Sequence, residues 1–96
     1  MAMNYLGNKL RELRESKGLL LRQVAAHIEV DTALVSKLER GERKAHKSQV
    51  SRFAEFFGVE EKELVLLWLA DKIADSIKDE ELGKEAIQFI EREFKR

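Results

Sequence analysis

A chain of 96 residues, 44% of them hydrophobic and 38% charged, can close one small core and leaves no room for a second ordinary domain with a core of its own. It has no cysteine, which excludes a disulfide framework, thiol chemistry and a thiolate zinc site; its two histidines, His27 and His46, cannot make a structural metal site alone. The formal net charge is zero, yet residues 1–60 carry 11 Lys and Arg against 8 Asp and Glu, while residues 61–96 carry 7 against 10. A weakly basic first part is thus joined to a weakly acidic second. Proline is absent and glycines number five, a balance that suits helices joined by short turns, so an all-α fold is expected.

Residues 4–16 place Leu6, Leu10 and Leu13 at spacings of four and three, which predicts one amphipathic helix ended by Lys17 and Gly18. Leu19 to Ile28 follows as a short second helix, with Val24, Ala25 and Ile28 inward, Arg22 and Gln23 polar, and small Ala25 and Ala26 permitting a close crossing. Asp31 is a natural cap for a third helix from Thr32 to about Arg40, and Gly41 stands where a left-handed residue closes it. Leu34 or Val35, together with Leu38, can reach the core from this helix, which leaves Thr32, Ala33, Ser36 and Lys37 facing outward.

A polar stretch from Glu42 to Lys47 leads to Ser48, the expected cap of a fourth helix that carries Val50, Phe53, Ala54 and Phe57 and stops at Gly58. Between Lys37 and Arg52 lie six basic residues and only two acidic ones, a local excess suited to phosphate. The fifth helix, from about Glu61 to Lys78, has two apolar faces: Leu64, Val65, Leu67 and Trp68 on one, and Leu66, Leu69, Ile73 and Ile77 on the other. A final helix to about Phe94 adds Leu82, Ala86, Phe89 or Ile90, and Phe94. A small domain cannot easily bury all of these faces by itself. Either the last helix folds back over its own chain or the two helices pair with a second copy, and the expected dimer interface is Leu66, Leu69, Ile73, Ile77, Phe89, Ile90 and Phe94.

The stretch Leu19 to Gly41, LLLRQVAAHIEVDTALVSKLERG, resembles the helix-turn-helix core of the family that includes the Cro proteins and repressors of lambdoid phages. The resemblance rests on Val24-Ala25, Val30-Asp31 and Ser36-Lys37-Leu38-Glu39-Arg40-Gly41, then Phe53-Ala54 and Phe56-Phe57-Gly58-Val59, and it covers about residues 4–68. It implies a five-helix, lambda-repressor-like DNA-binding domain over residues 1–68; residues 69–96 lie essentially outside the resemblance, and their apolar faces make them the expected dimerisation element, a helical extension continuous with the domain. It further implies that Thr32 to Arg40 is the recognition helix, with Thr32, Ala33, Ser36 and Lys37 at base edges. Arg22, Arg40, Arg43, Lys44 and Lys47 become the phosphate contacts, the last three in the loop after that helix, and His46 joins the same basic loop. Arg14 and Glu39 become a structural ion pair bracing the first helix against the third.

Two features depart from the family pattern. Leu20 and Leu21 stand where Ser or Thr followed by Gln is common, so one phosphate anchor is lost and Arg22 takes some of its work. Glu29 replaces the usual glycine of the turn, which either avoids the left-handed conformation or accepts roughly 1 kcal/mol of strain.

The resemblance implies a sequence-specific transcriptional regulator that binds double-stranded DNA as a homodimer on a short palindromic operator, with RNA polymerase as a further partner. A protein-interaction module, such as an antitoxin whose C-terminal helices hold a toxin, is the alternative. No catalytic constellation is visible, and no enzyme activity, cofactor or metal is expected. His27 reads as a surface or packing residue and Trp68 as core or dimer packing. No apolar run approaches the roughly 18 residues of a membrane span and the N-terminus has no signal-peptide pattern, so a cytoplasmic protein without membrane contact is expected.

Overall fold

The first helix, α1 (Tyr5–Ser16), starts where three acceptors meet its free amides. The Asn4 side-chain oxygen accepts from the Gly7 amide at 3.2 Å, and the two carboxylate oxygens of Asp71 accept from the Tyr5 and Leu6 amides at 2.7 and 3.1 Å. A buried carboxylate at a helix N-terminus is favoured by the helix dipole as well as by these bonds. Gly7 lets α1 approach the end of the third helix at backbone distance, because a Cβ at that position would run into the Leu38 carbonyl and the Asn4 side chain.

The computed structural model describes residues 4–94, and among these residues it has six helices and no strand. After α1 come α2 (Leu21–Ile28), α3 (Thr32–Arg40), α4 (Lys47–Phe57), α5 (Glu61–Ile77) and α6 (Gly83–Glu93). The fold is therefore all-α, with five helices followed by one more. Residues 1–3 and 95–96 of the expected two-part division lie outside the described residues, and its boundary between residues 68 and 69 falls inside the unbroken α5.

Two helix starts differ from the sequence expectation for the same physical reason. The second helix begins at Leu21 rather than Leu19, since the Leu19 carbonyl is taken by Arg14 at 2.9 Å and the Gln23 side chain accepts from the Leu20 amide at 2.7 Å. The fourth begins at Lys47 behind His46 rather than behind Ser48, because Gln49 accepts from the His46 amide at 2.9 Å. In both cases a glutamine at the third helical position reaches back to the residue before the helix. Ser48 is thereby inside the first turn. Asp31 does precede α3, but its side chain makes no capping bond.

The turn between α2 and α3 takes the strained option. Glu29 sits at φ 62 and ψ 47, the one non-glycine with positive φ among the described residues, at a cost of about 1 kcal/mol. The closing bond from the Val30 amide to the Ala25 carbonyl, 3.0 Å, depends on that conformation, and Arg52 donates to the Ile28 carbonyl at 3.2 Å. Arg52 thus serves the end of α2 while remaining exposed.

Helices α1 to α5 enclose one core around Leu10, Val24, Ile28, Val35, Val50, Phe53 and Leu64. From α3 it is Val35 and Leu38 that are fully buried, with Leu34 packed at the margin. Trp68 is partly buried, donating from Nε1 to the Ala45 carbonyl at 2.7 Å, while the Lys72 ammonium lies 4.0 Å from its ring centre. His27 stacks on Phe56 with ring centres 4.6 Å apart, a packing role at the surface.

The last helix buries only Gly83, which meets Ile77 across the tight α5 to α6 turn. It does not cover the outer stripe of α5, where Leu66, Leu69 and Ile73 are 66%, 46% and 54% exposed. Phe89, Ile90 and Phe94 are exposed as well, and Ile77 is half-buried. Between α5 and α6 lies an open cleft of about 560 Å³ whose lining includes Ala70, Ile73, Ala74, Ile77 and Ile87. Among the described residues no helix is long and apolar enough to cross a membrane.

Candidate nucleic-acid interface

Helix α3 is short, and its two sides are sharply divided. Steps of about 100° per residue put Thr32, Ala33, Ser36, Lys37 and Arg40 on one arc of about 140°, and put Val35 and Leu38 on the other side, with Glu39 at the margin next to Thr32. Burial follows that division: Val35, Leu38 and Glu39 are buried, Ser36 is half-buried, and Thr32, Ala33, Lys37 and Arg40 are exposed. The outward side is small and polar at the helix start and cationic toward its end.

Behind α3 stands a charged brace. Arg14 Nε and Nη2 donate to the two Glu39 oxygens at 2.7 and 3.1 Å, and Nη1 donates to the Leu19 carbonyl at 2.9 Å. The fork geometry satisfies both carboxylate oxygens, with 14% of the Arg14 side chain and 7% of the Glu39 side chain exposed. Hydrogen bonding to Glu39 raises the Arg14 guanidinium above its ordinary value. The Glu39 carbonyl accepts from the Asn4 side chain at 2.6 Å, so the same residue ties α3 to both ends of α1. This pair turns no charge toward solvent; it sets the position of the exposed arc.

The other cations expected at phosphates are exposed as well. Arg22, Lys37, Arg43 and Lys47 are exposed, and none of them is in an ion pair with another described residue. Lys47 lies in the first turn of α4 rather than in the preceding loop. Arg40 and Lys44 differ. Arg40 donates from Nε and Nη2 to the Glu42 oxygens at 2.7 and 3.1 Å, and from Nη1 to the Ser36 hydroxyl oxygen. Lys44 reaches across to Asp75 of α5 at 2.7 Å. Hydrogen bonding with Arg40 holds the Glu42 carboxyl below its ordinary value, and hydrogen bonding with Lys44 does the same for Asp75. Both carboxylates are ionised at neutral pH, and each pair is lost as pH falls through the lowered carboxyl value.

Several contributors escaped sequence reasoning. Asp71 lies on the core-facing side of α5, three, four and seven residues after Trp68, Leu67 and Leu64, and a lone carboxylate on an apolar face was the available signal. Asn4 immediately before an amphipathic helix carried the ordinary signature of a cap. Glu42 and Asp75 had no local pattern marking them as partners of Arg40 and Lys44.

Residues 5–67 match the family model described as a helix-turn-helix domain, a span that takes in α1 to α4 and the first part of α5. No curated protein and no solved structure matches the chain.

Proposed function

Because this chain belongs to the helix-turn-helix domain family, a membership that points to DNA binding, we propose that it is a sequence-specific transcriptional regulator acting as a homodimer on a short palindromic operator. It acts in the cytoplasm by occupancy, without a chemical step, and either blocks or contacts RNA polymerase. The observation that carries the reading is the exposed arc of α3, small and polar at its start and cationic toward its end, braced by the Arg14–Glu39 pair. In this reading α3 lies in the major groove, with Thr32, Ala33, Ser36 and Lys37 at base edges. Arg22, Arg40, Arg43, Lys44 and Lys47 meet phosphates and fix the register.

Two substitutions separate reading from positioning. Lys37→Ala costs about 1 to 3 kcal/mol on the preferred site and relaxes base preference at one or two positions. Arg43→Ala weakens all duplexes together and lowers the salt slope by about 1. Selection from randomised duplexes, run with each variant, tests the assignment: a Lys37→Ala protein that selects the wild-type sequences with uniformly lower affinity makes Lys37 a phosphate contact.

The uncovered stripe of α5 and the apolar side of α6 support the homodimer. In a two-fold assembly these helices pack together and set the two α3 helices about 34 Å apart, one turn of DNA. Sedimentation equilibrium is expected to give a dimer for the full chain and a weakened dimer for a chain ending at Lys78. A species of 11.1 kDa at high micromolar concentration contradicts the homodimer. It leaves the same apolar faces to a different protein, as in an antitoxin that holds a toxin through its C-terminal helices.

A further inference from the structure

Two of the five cations assigned to phosphate already hold carboxylates. Arg40 grips Glu42 with a two-pronged contact of 2.7 and 3.1 Å, the geometry a guanidinium also uses on a phosphate, and Lys44 holds Asp75 at 2.7 Å. From these contacts we infer that Glu42 and Asp75 are internal competitors of the DNA backbone, occupying Arg40 and Lys44 until a phosphate is presented in the correct place. The inference rests on the DNA-binding reading and goes beyond it, since it assigns acidic residues a part in setting affinity and salt dependence.

The surroundings make the exchange reversible. Asp75 has a second cation nearby, Lys78 at 3.7 Å, so it keeps a partner when Lys44 leaves. Glu42 likewise feels the field of Lys37 on the preceding turn. All four side chains of the two pairs are substantially solvent-exposed, from 34% to 53%, so each pair is weak enough to be displaced. On DNA without a preferred site, phosphates lie at varying positions and the carboxylates keep their cations. On a site that seats α3, the phosphates are held at fixed positions and displace them. Glu42 and Asp75 therefore withhold two phosphate contacts on DNA without a preferred site, while on the preferred site those contacts form at the cost of breaking the two pairs. Asp75 in addition belongs to α5, the helix whose other side carries Ile73 and Ile77, so one end of this competition is anchored in the proposed dimer helix.

The test uses the full chain, Glu42→Gln, Asp75→Asn and the double variant, with Glu91→Gln on α6 as a control that changes net charge by the same amount. Binding to a random-sequence duplex is followed by fluorescence anisotropy from 50 to 200 mM salt. Each single variant is expected to bind about two- to fivefold more tightly, the worth of an exposed ion pair. The log–log salt slope steepens by about 0.9 per released cation, and the double variant shows both gains. On the selected site the gain is at least as large, because the variant no longer has a pair to break, while the salt slope stays that of the wild type, whose two cations are already released there. Variants whose affinity and slope equal those of Glu91→Gln, with wild-type DNA binding intact, overturn the inference alone. A wild-type chain that binds no duplex at 50 mM salt overturns the DNA-binding reading and this inference with it.

Discussion

Replacing Glu39 by alanine is expected to lower the unfolding free energy by about 3 kcal/mol, one of the two largest effects expected here. The loss comes from what remains. With Glu39 gone, the Arg14 guanidinium stays mostly covered, only 14% of the side chain exposed, and keeps the Leu19 carbonyl as its acceptor. The bond from Asn4 to the Glu39 backbone carbonyl does not need the side chain and survives the truncation, so the penalty isolates the ion pair. Arg14→Ala strands the Glu39 carboxylate in the same way. Because the two residues act as one unit, the double variant loses less than the sum of the single losses. Urea melts of the wild type and three variants provide the check, and fully additive penalties would remove the pair from the account. Among molecules that remain folded, sequence preference is unchanged by Glu39→Ala, since its side chain is buried and held by Arg14.

That pair also shows how far the sequence could be read. Arg14 and Glu39 are 25 residues apart, and no local periodicity joins them; the family resemblance carried the expectation, while the geometry of 2.7 and 3.1 Å belongs to the fold. The order of helices followed from the spacing of leucines, valines and phenylalanines, which reports burial directly. Helix starts were less legible, because Leu20 and His46 are poor cap residues and the glutamines at positions 23 and 49 do the reaching back. The sequence left two options open at Glu29, strain or avoidance, and the backbone takes strain to close α2. Long-range polar contacts were the hardest to see. Asp71 caps α1 from 65 and 66 residues away, and Lys44 meets Asp75 only because α5 passes beside the loop after α3.

The α5 stripe was legible as apolar pattern, but a pattern alone does not say what covers it. In the single chain α6 leaves Leu66, Leu69 and Ile73 exposed and exposes its own Phe89, Ile90 and Phe94. Hydrophobic side chains left in water at this density represent a driving force for association at roughly 25 cal/mol per Å² covered, before the entropy of association is charged.

The second large effect concerns salt. A symmetric dimer offers two copies of the phosphate-facing set, so it makes about six contacts if Arg40 and Lys44 stay on their carboxylates and about ten if both are released. Each neutralised phosphate contributes a slope of about −0.9, so affinity falls by about 10³ to 10⁵ between 50 and 200 mM salt. The steepness counts cations on DNA, and the selected sequence reports what α3 reads. The most direct measurement is therefore selection from a randomised duplex pool with the full chain, followed by titration of the enriched duplex across that salt range. The expected result is a palindromic sequence with half-sites about one helical turn apart and an affinity that drops at least a thousandfold. No enrichment of any sequence at low salt, or an affinity indifferent to salt, would contradict it.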